Sequence, residues 1–300
     1  MANTHRTTAN MALWLLLLSL AAAAGCATDA SPEALSLRGN VVVIRLPGAS
    51  AGVSGQCYAD QAEYMRPNGT IDLMLNNKYD FFPRLRNLLK TTETISGNQV
   101  AQLRADASMI TITGAQVKMT LDTGKDSLLK GSTDLKKVLG IEDTDEGWYT
   151  PFVATIDAGE EVFSRFEAIP RNVGNMMRVQ WNKAAADKKY STIETVTVYV
   201  AVEGFMQDGT VVRSQTVPYP VQVCWGCLVF LPQVAPGFGQ TREEMYQFCN
   251  SGNVPSDYAA PCVMGNDEFV PCPFYCSVCK QNGDDPPENA CDDTFCPAAP

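Results

Sequence analysis

Between Thr195 and Val202 apolar and polar side chains alternate without a break. Val196, Val198, Val200 and Val202 fall on one face, and Thr195, Thr197 and Tyr199 on the other. A period of two marks a strand with one buried face. Asp208-Gly209 then reads as a two-residue hairpin turn, with Thr210 to Val217 returning beside the first strand. Upstream, Ile110 and Ile112 share a face within Met109 to Thr113, whereas Val117, Met119 and Leu121 have the opposite parity. A bulge at Gly114 brings both sets to one side, because an extra residue inverts the register.

The same pattern predicts further strands. Val41 to Leu46 is the first, ended by Pro47-Gly48, and Pro67-Asn68-Gly69 marks a turn. An extended segment runs from Thr70 to Leu75 and resumes over Tyr79 to Leu89, where Pro83 imposes an edge, a bend or a division into two pieces. Trp148 to Ile156 and Glu161 to Ile169 flank Asp157-Ala158-Gly159. Pro218-Tyr219-Pro220 breaks the returning hairpin strand, and Val221 opens a last apolar stretch to Leu231. Two short helices are expected, one over Ser132 to Gly140 and one after Thr241, with Glu244 completing a capping box and Met245, Phe248 and Cys249 on one face. Seven or eight strands separated by short turns predict an all-β chain. The expected architecture is an immunoglobulin-like antiparallel β-sandwich over 37–231, followed by a loop-rich, disulfide-stapled C-terminal segment over 232–300.

The start of the chain has a different pattern. Met11 to Ala24 is an apolar run, broken only by Ser19 and ending in small residues, and Ala24-Gly25-Cys26 follows the form of a bacterial lipobox. It is too short for a comfortable membrane span and suits a signal h-region. Residues 1–25 are therefore expected to be a lipoprotein signal peptide and 26–36 a tether. Cys26 would be the lipidation site, holding the protein to a membrane by palmitate-type acyl chains. Ala27, in place of an Asp retention mark, points to the outer membrane of the cell envelope.

Composition narrows the chemistry. The chain has 23 basic and 33 acidic residues, a net charge of −10, and no basic stripe, which argues against nucleic acid as a partner. Its only histidine is His5, inside the segment expected to be removed. Ser-His-Asp and Cys-His catalysis, imidazole acid–base chemistry and His-ligated zinc are excluded from the mature chain. No cofactor, metal or catalytic residue is expected, and the chain reads as a non-enzyme.

Beyond Cys26, the candidates for disulfides are Cys57, Cys224, Cys227, Cys249, Cys262, Cys272, Cys276, Cys279, Cys291 and Cys296, an even set of ten. Seven of them lie in 232–300, a segment with too few apolar residues to order itself without covalent closure. Connectivity is open; a bridge from Cys57 to Cys224 or Cys227 would tie an early loop to the last strand. Cys224-Trp225-Gly226-Cys227 also matches the CxxC of thiol–disulfide oxidoreductases. Strand-like sequence flanks it on both sides, where that chemistry wants a helix N-terminus. Cys272, Cys276 and Cys279 match the CxxxCxxC of radical-SAM clusters, and the pairs Cys224/Cys227 and Cys276/Cys279 match a four-cysteine zinc site. Export to an oxidising space favours disulfides over both. Asp143 and Asp145, and Asp284, Asp285, Asp292 and Asp293, are fragments of calcium-loop spacing without its terminal Glu. Glu160-Glu161 and Glu243-Glu244 are adjacent in sequence rather than opposed across a cleft.

Several stretches together resemble a group of cysteine-rich envelope lipoproteins of the myxobacterial kind, a group with no assigned activity. They are Ala24-Gly25-Cys26, Gly69-Thr70-Ile71-Asp72-Leu73 leading to Tyr79 and Asn87, Gly114-Ala115-Gln116-Val117, Val223-Cys224-Trp225-Gly226-Cys227, and Cys262 with Gly265-Asn266-Asp267. The resemblance implies address and fold. The expected function is a non-catalytic, lipid-anchored envelope protein, a structural component or a binding module for a protein or glycan partner. The alternative is an exported thiol–disulfide oxidoreductase using Cys224 and Cys227. An exposed aromatic cluster would favour the binding module, and Trp148, Trp181 and Trp225 are the tryptophans to locate.

Overall fold

A computed structural model describes residues 34–45, 57–59, 64–89, 108–122, 127–131, 147–184, 188, 192–230, 262–272 and 276. The signal peptide, Cys26, both expected helices, the acidic clusters and Cys249, Cys279, Cys291 and Cys296 lie outside these residues. So do Glu243 and Glu244.

The fold is all-β, an antiparallel sandwich with one core. Its larger sheet has β5 (Gly69–Asp72), β14 (Val217–Cys224), β12 (Glu194–Met206), β8 (Ile110–Asp122) and β9 (Trp148–Ile156) side by side, with β13 (Val211–Arg213) also paired to β12. The smaller has the order β10 (Glu161–Phe163), β7 (Pro83–Asn87), β1 (Leu35–Val41) and β4 (Met65–Arg66). A separate antiparallel ribbon pairs β6 (Tyr79–Phe81) with β11 (Phe166–Ile169). Two short pairs lie apart from these, β2 (Val43–Arg45) with β3 (Cys57–Ala59), and β15 (Val229–Phe230) with β16 (Val270–Pro271).

The alternation in β12 is realised as read: Val196, Val198, Val200 and Val202 are fully buried. The bulge in β8 is present. Glu203 pairs with Gly114 and Gly204 with Ile112, so Thr113 is the extra residue on the β12 side. Ile110, Ile112, Ala115, Val117 and Met119 consequently all enter the core. Pro83 divides the Tyr79–Leu89 stretch into β6 and β7, and Glu161 to Ile169 likewise splits into β10 and β11.

Three expectations are corrected. The first strand begins at Leu35, so Leu35 and Ser36 belong to the sandwich and not to the tether; Leu35 and Leu37 are core residues. The hairpin loop has three residues, Gln207 to Gly209, because Phe205 pairs with Val211 and the Gly209 N–H bonds to the Met206 carbonyl. Gly209 takes a positive φ of 85°, the usual partner of a turn closed by a bulge. Pro218 and Pro220 do not break β14. Being two apart, they direct their missing N–H groups to the same side, and β5 lies opposite only Val221 to Cys224. One element had no counterpart in the sequence reading: α1 (Arg171–Asn182) packs Val173, Met177 and Trp181 into the core at helical spacing.

The boundary at 231 is crossed by the chain's own hydrogen bonds. β16 pairs in parallel with β15, and Val270, Cys272 and Cys276 are in the core. Asp267 is the principal tie. Its carboxylate accepts the Thr70 N–H at 2.6 Å and the Tyr79 hydroxyl at 2.7 Å. Tyr79 and Tyr219 hydroxyls lie 3.1 Å apart, and Asn40 Nδ2 donates to both, at 3.0 and 2.9 Å. This buried network joins both sheets, β6 and the tail. Burial pushes the Tyr79 hydroxyl well above its ordinary value, Tyr219 up to about 12, and the Asp267 carboxyl upward. No helix among the described residues is long and apolar enough to cross a membrane.

Candidate functional site

The Cys224–Cys227 pair closes on itself as a disulfide, Cα–Cα 5.9 Å, so the expected bridge from either residue to Cys57 is not formed. Cys262, Cys272 and Cys276 are also disulfide-bonded. The first pair's thiolates, which a zinc site would need, are consumed in their own bond, and two of the three sulfurs of the CxxxCxxC spacing, Cys272 and Cys276, are likewise in disulfides.

The four-residue loop is held from below by Asp72 at the end of β5. Its Oδ1 accepts the N–H of Gly226 at 2.7 Å and of Met74 at 3.0 Å, and its Oδ2 accepts that of Leu228 at 2.9 Å. Gly226 takes a positive φ of 73°, which lets the chain turn over the carboxylate. Asp72 is fully buried, and that burial outweighs the hydrogen bonds, raising its carboxyl to about 6. Asp72, Cys224 and Cys227 place three potential ligand atoms within 4.8 Å of one another. With the sulfurs bonded and the carboxylate facing three N–H groups, the cluster is a staple for the turn. Cys224 is 1% exposed and is the last residue of β14, followed by a turn and β15 and not by the start of a helix. Asp72 stood out in the sequence only as part of the Gly69-to-Leu73 stretch, with nothing to mark it as this anchor.

Glu160 and Glu161 do not oppose each other across a cleft. Glu161 bonds Arg84 and lies 3.5 Å from Arg38 and 3.7 Å from Arg86, an ion cluster on the outside of the smaller sheet.

The feature that can receive a ligand lies elsewhere. An open cleft of about 590 Å³ runs between the first half of β9, the β6–β11 ribbon and the start of α1. That volume falls within the range of small-molecule sites. Trp148 and Tyr149 lie along one side, while Trp181 and Trp225 are buried, so of the three described tryptophans Trp148 alone lines the cleft. Tyr149 is 45% exposed. Its ring lies across Gly114, where a Cβ would come within 2.5 Å of Tyr149 Cζ. The bulge glycine that registers β8 thus also seats the aromatic ring. The indole Nε1–H of Trp148 is buried and has no hydrogen-bond partner among the described residues.

Opposite stand four charges. Asp80, buried in β6, receives Lys78 Nζ on Oδ1 at 3.3 Å and Arg165 Nη2 on Oδ2 at 2.7 Å. Lys78 also reaches Glu167 Oε1 at 2.8 Å. Two cations and two carboxylates leave the wall neutral, and the only deeply buried charge is paired on both oxygens, as burial of an ion demands. The walls are fixed to one another. Thr150 Oγ1 donates to the Glu167 carbonyl at 3.1 Å, and Phe152 stacks on Phe166 with ring centroids 5.0 Å apart. Arg165 lies 5.7 Å over the Phe82 ring. The third wall, Pro170 and Asn172, is set by α1. Gly174 passes so close to the Asn77 carbonyl that any Cβ would overlap it, and Arg178 Nε donates to the Leu73 carbonyl at 2.7 Å. Pro170 ends β11's course and starts the helix without a side-chain cap.

Trp148 was singled out from sequence only as one of three tryptophans. Lys78, Asp80, Arg165 and Glu167 carried no sequence signal, since they come from two segments, 78–80 and 165–167, that only the ribbon pairing brings together. No family model, no curated protein and no solved structure matches the chain.

Proposed function

We propose that the chain is a non-catalytic, lipid-anchored protein of the outer cell envelope that acts as a binding module, with the cleft beside Trp148 and Tyr149 as its recognition site. The observation that carries this reading is the cleft itself, with the partly exposed Trp148 set against a fixed, internally neutralised wall of charges. Two further features support it. The buried ionisable groups are engaged in holding loops and strands, as Asp72 and Asp267 do. The absence of histidine beyond His5 removes the commonest acid–base group from the mature chain.

The second reading, a thiol oxidoreductase, has one observation in its favour, the carboxyl of Asp72 beside the Cys224–Cys227 sulfurs. Against it, a neighbouring anion and burial both disfavour the thiolate such chemistry needs. One experiment separates the two readings. A soluble form beginning at Ala27 is mixed with isolated envelopes and assayed in parallel for reduction of insulin by dithiothreitol. The binding reading expects saturable retention that Tyr149→Ala abolishes and no turnover above background. Turnover lost in Cys224→Ser, with retention unaffected by Tyr149→Ala, would reverse the assignment.

A further inference from the structure

Resting on the lipid-anchored part of that reading and independent of the cleft, we infer that the outer face of the smaller sheet docks on anionic phospholipid headgroups. Charge is the first observation. Arg38 of β1 and Arg84 and Arg86 of β7 gather around one carboxylate, that of Glu161 on β10. Strand alternation puts them on one face. Leu37 and Leu85 enter the core beside them, and Arg86 sits opposite both Ser36 and Glu161. Three guanidinium groups against one anion leave this face positive, in a chain whose net charge is −10. Arg38 and Arg86 are 40% and 39% exposed and lie 3.5 and 3.7 Å from Glu161, so each keeps N–H donors for a second anion. A phosphodiester suits that fork, which takes phosphate oxygens in pairs.

Apolar side chains border the arginines. Phe163 lies under Arg84, 5.8 Å from guanidinium carbon to ring centroid. Leu88 is exposed two residues after Arg86, and Tyr64 and Met65 are exposed at the other edge, where a Cβ on Gly39 would come within 3.5 Å of the Met65 sulfur. Basic groups interleaved with Phe, Leu, Met and Tyr suit the boundary between headgroups and acyl chains. Asp157 and Glu160, exposed in the turn before β10, mark where the basic face ends. Position is the third observation. The Leu88 N–H bonds to the Ala34 carbonyl at 2.9 Å, so the face begins where the chain enters the fold. Ala34 is eight positions after Cys26, and at about 3.3–3.6 Å per residue that stretch spans no more than about 30 Å. An acylated Cys26 keeps the arginines within that reach of the headgroups, where weak contacts suffice because the tether holds the local concentration high. The outer face of the larger sheet is then turned to the aqueous side.

The test reconstitutes the acylated mature chain in vesicles of phosphatidylcholine, or of an equimolar mixture with phosphatidylglycerol, and follows hydroxyl-radical oxidation of Met65 and Phe163. The expected result is several-fold slower oxidation of both on the mixed vesicles, with Tyr149 unchanged. Salt at about 1 M, where the screening length falls to about 3 Å, should erase the difference. Arg38→Gln with Arg86→Gln should erase it too, since each arginine lost removes about fivefold in partitioning while the Arg84–Glu161 pair stays in place. Equal oxidation on the two kinds of vesicle would overturn the inference. A difference that persists in the double variant would also overturn it, by assigning the contact to other residues. Protection by hexagalacturonate in detergent, with none on the mixed vesicles, would replace the lipid with an acidic glycan. The intact mass of the same preparation reports acylation separately, so loss of the anchor and failure of the docking face are told apart.

Discussion

Replacing Asp72 with Asn tests the balance at the disulfide-closed turn. The carboxylate takes three backbone N–H groups, two on Oδ1 and one on Oδ2. An amide can keep the two on its oxygen, but its NH₂ then faces the Leu228 N–H, donor against donor. Leaving that buried N–H unpaired costs about 1–3 kcal/mol at any pH. A second effect depends on pH. Burial raises the Asp72 carboxyl from 3.8 to about 6, so the folded protein prefers the protonated form. For a folded value above the unfolded one, the group's full contribution to stability is present below 3.8. It is lost as pH rises through about 6, a change of about 3 kcal/mol. Asn cannot titrate, so the stability of wild type minus that of Asp72→Asn should fall by about this amount between pH 3.5 and pH 7. Urea unfolding at four pH values, followed by the fluorescence of the buried Trp181 and Trp225, measures that difference directly. A difference that stays flat, or that grows with pH, would show that the three N–H groups win over desolvation, and the reasoning would fail.

Other predictions follow from close approaches and from the cysteines. Gly174→Ala drives a methyl into the Asn77 carbonyl and should cost about 1–3 kcal/mol, seen as a lowered Tm. Gly114→Ala should displace the Tyr149 ring and press on the Thr150 carbonyl, lowering both Tm and retention by isolated envelopes, although Gly114 is not one of the residues lining the cleft. Opening the four-residue Cys224–Cys227 loop by Cys224→Ser with Cys227→Ser should cost about 2 kcal/mol in urea titrations, modest because the loop is short. The intact mass of protein extracted from membranes should show an acylated Cys26, no alkylation before reduction and ten alkylated cysteines after it.

Period-two segments were legible in the sequence because burial acts on alternate residues. Gly114 could be read as a bulge since the parity of Ile110 and Ile112 reverses at Val117. What failed was local chemistry that depends on a partner. Pro218 and Pro220 look like strand breakers until the edge they face is known to lack a neighbour over those residues. The helix at Arg171–Asn182 has Val173, Met177 and Trp181 at the right spacing, but Gly174 and the β-branched Val179 obscure it, and Gly174 is there because Asn77 lies against it. The cleft was the least legible. Lys78, Asp80, Arg165 and Glu167 come from the chain before β6, from β6, and from the approach to β11 and β11 itself, and each looks like an ordinary surface charge until β6 and β11 pair. Disulfide pairing was open for the reason it usually is: spacing allows many connectivities, and only the turn over Asp72 selects Cys224 with Cys227.

The most direct test of the account is hydroxyl-radical footprinting of the acylated mature chain, compared between isolated envelopes and detergent solution. Tyr149 is reactive and half exposed, so its oxidation reports on the cleft. The account predicts strong protection of Tyr149 in the envelope, with no change at Phe205 and Val211, the exposed cross-strand pair on β12 and β13. Unchanged oxidation of Tyr149, with protection at Phe205 and Val211 instead, would contradict it and move the recognition surface to that hairpin.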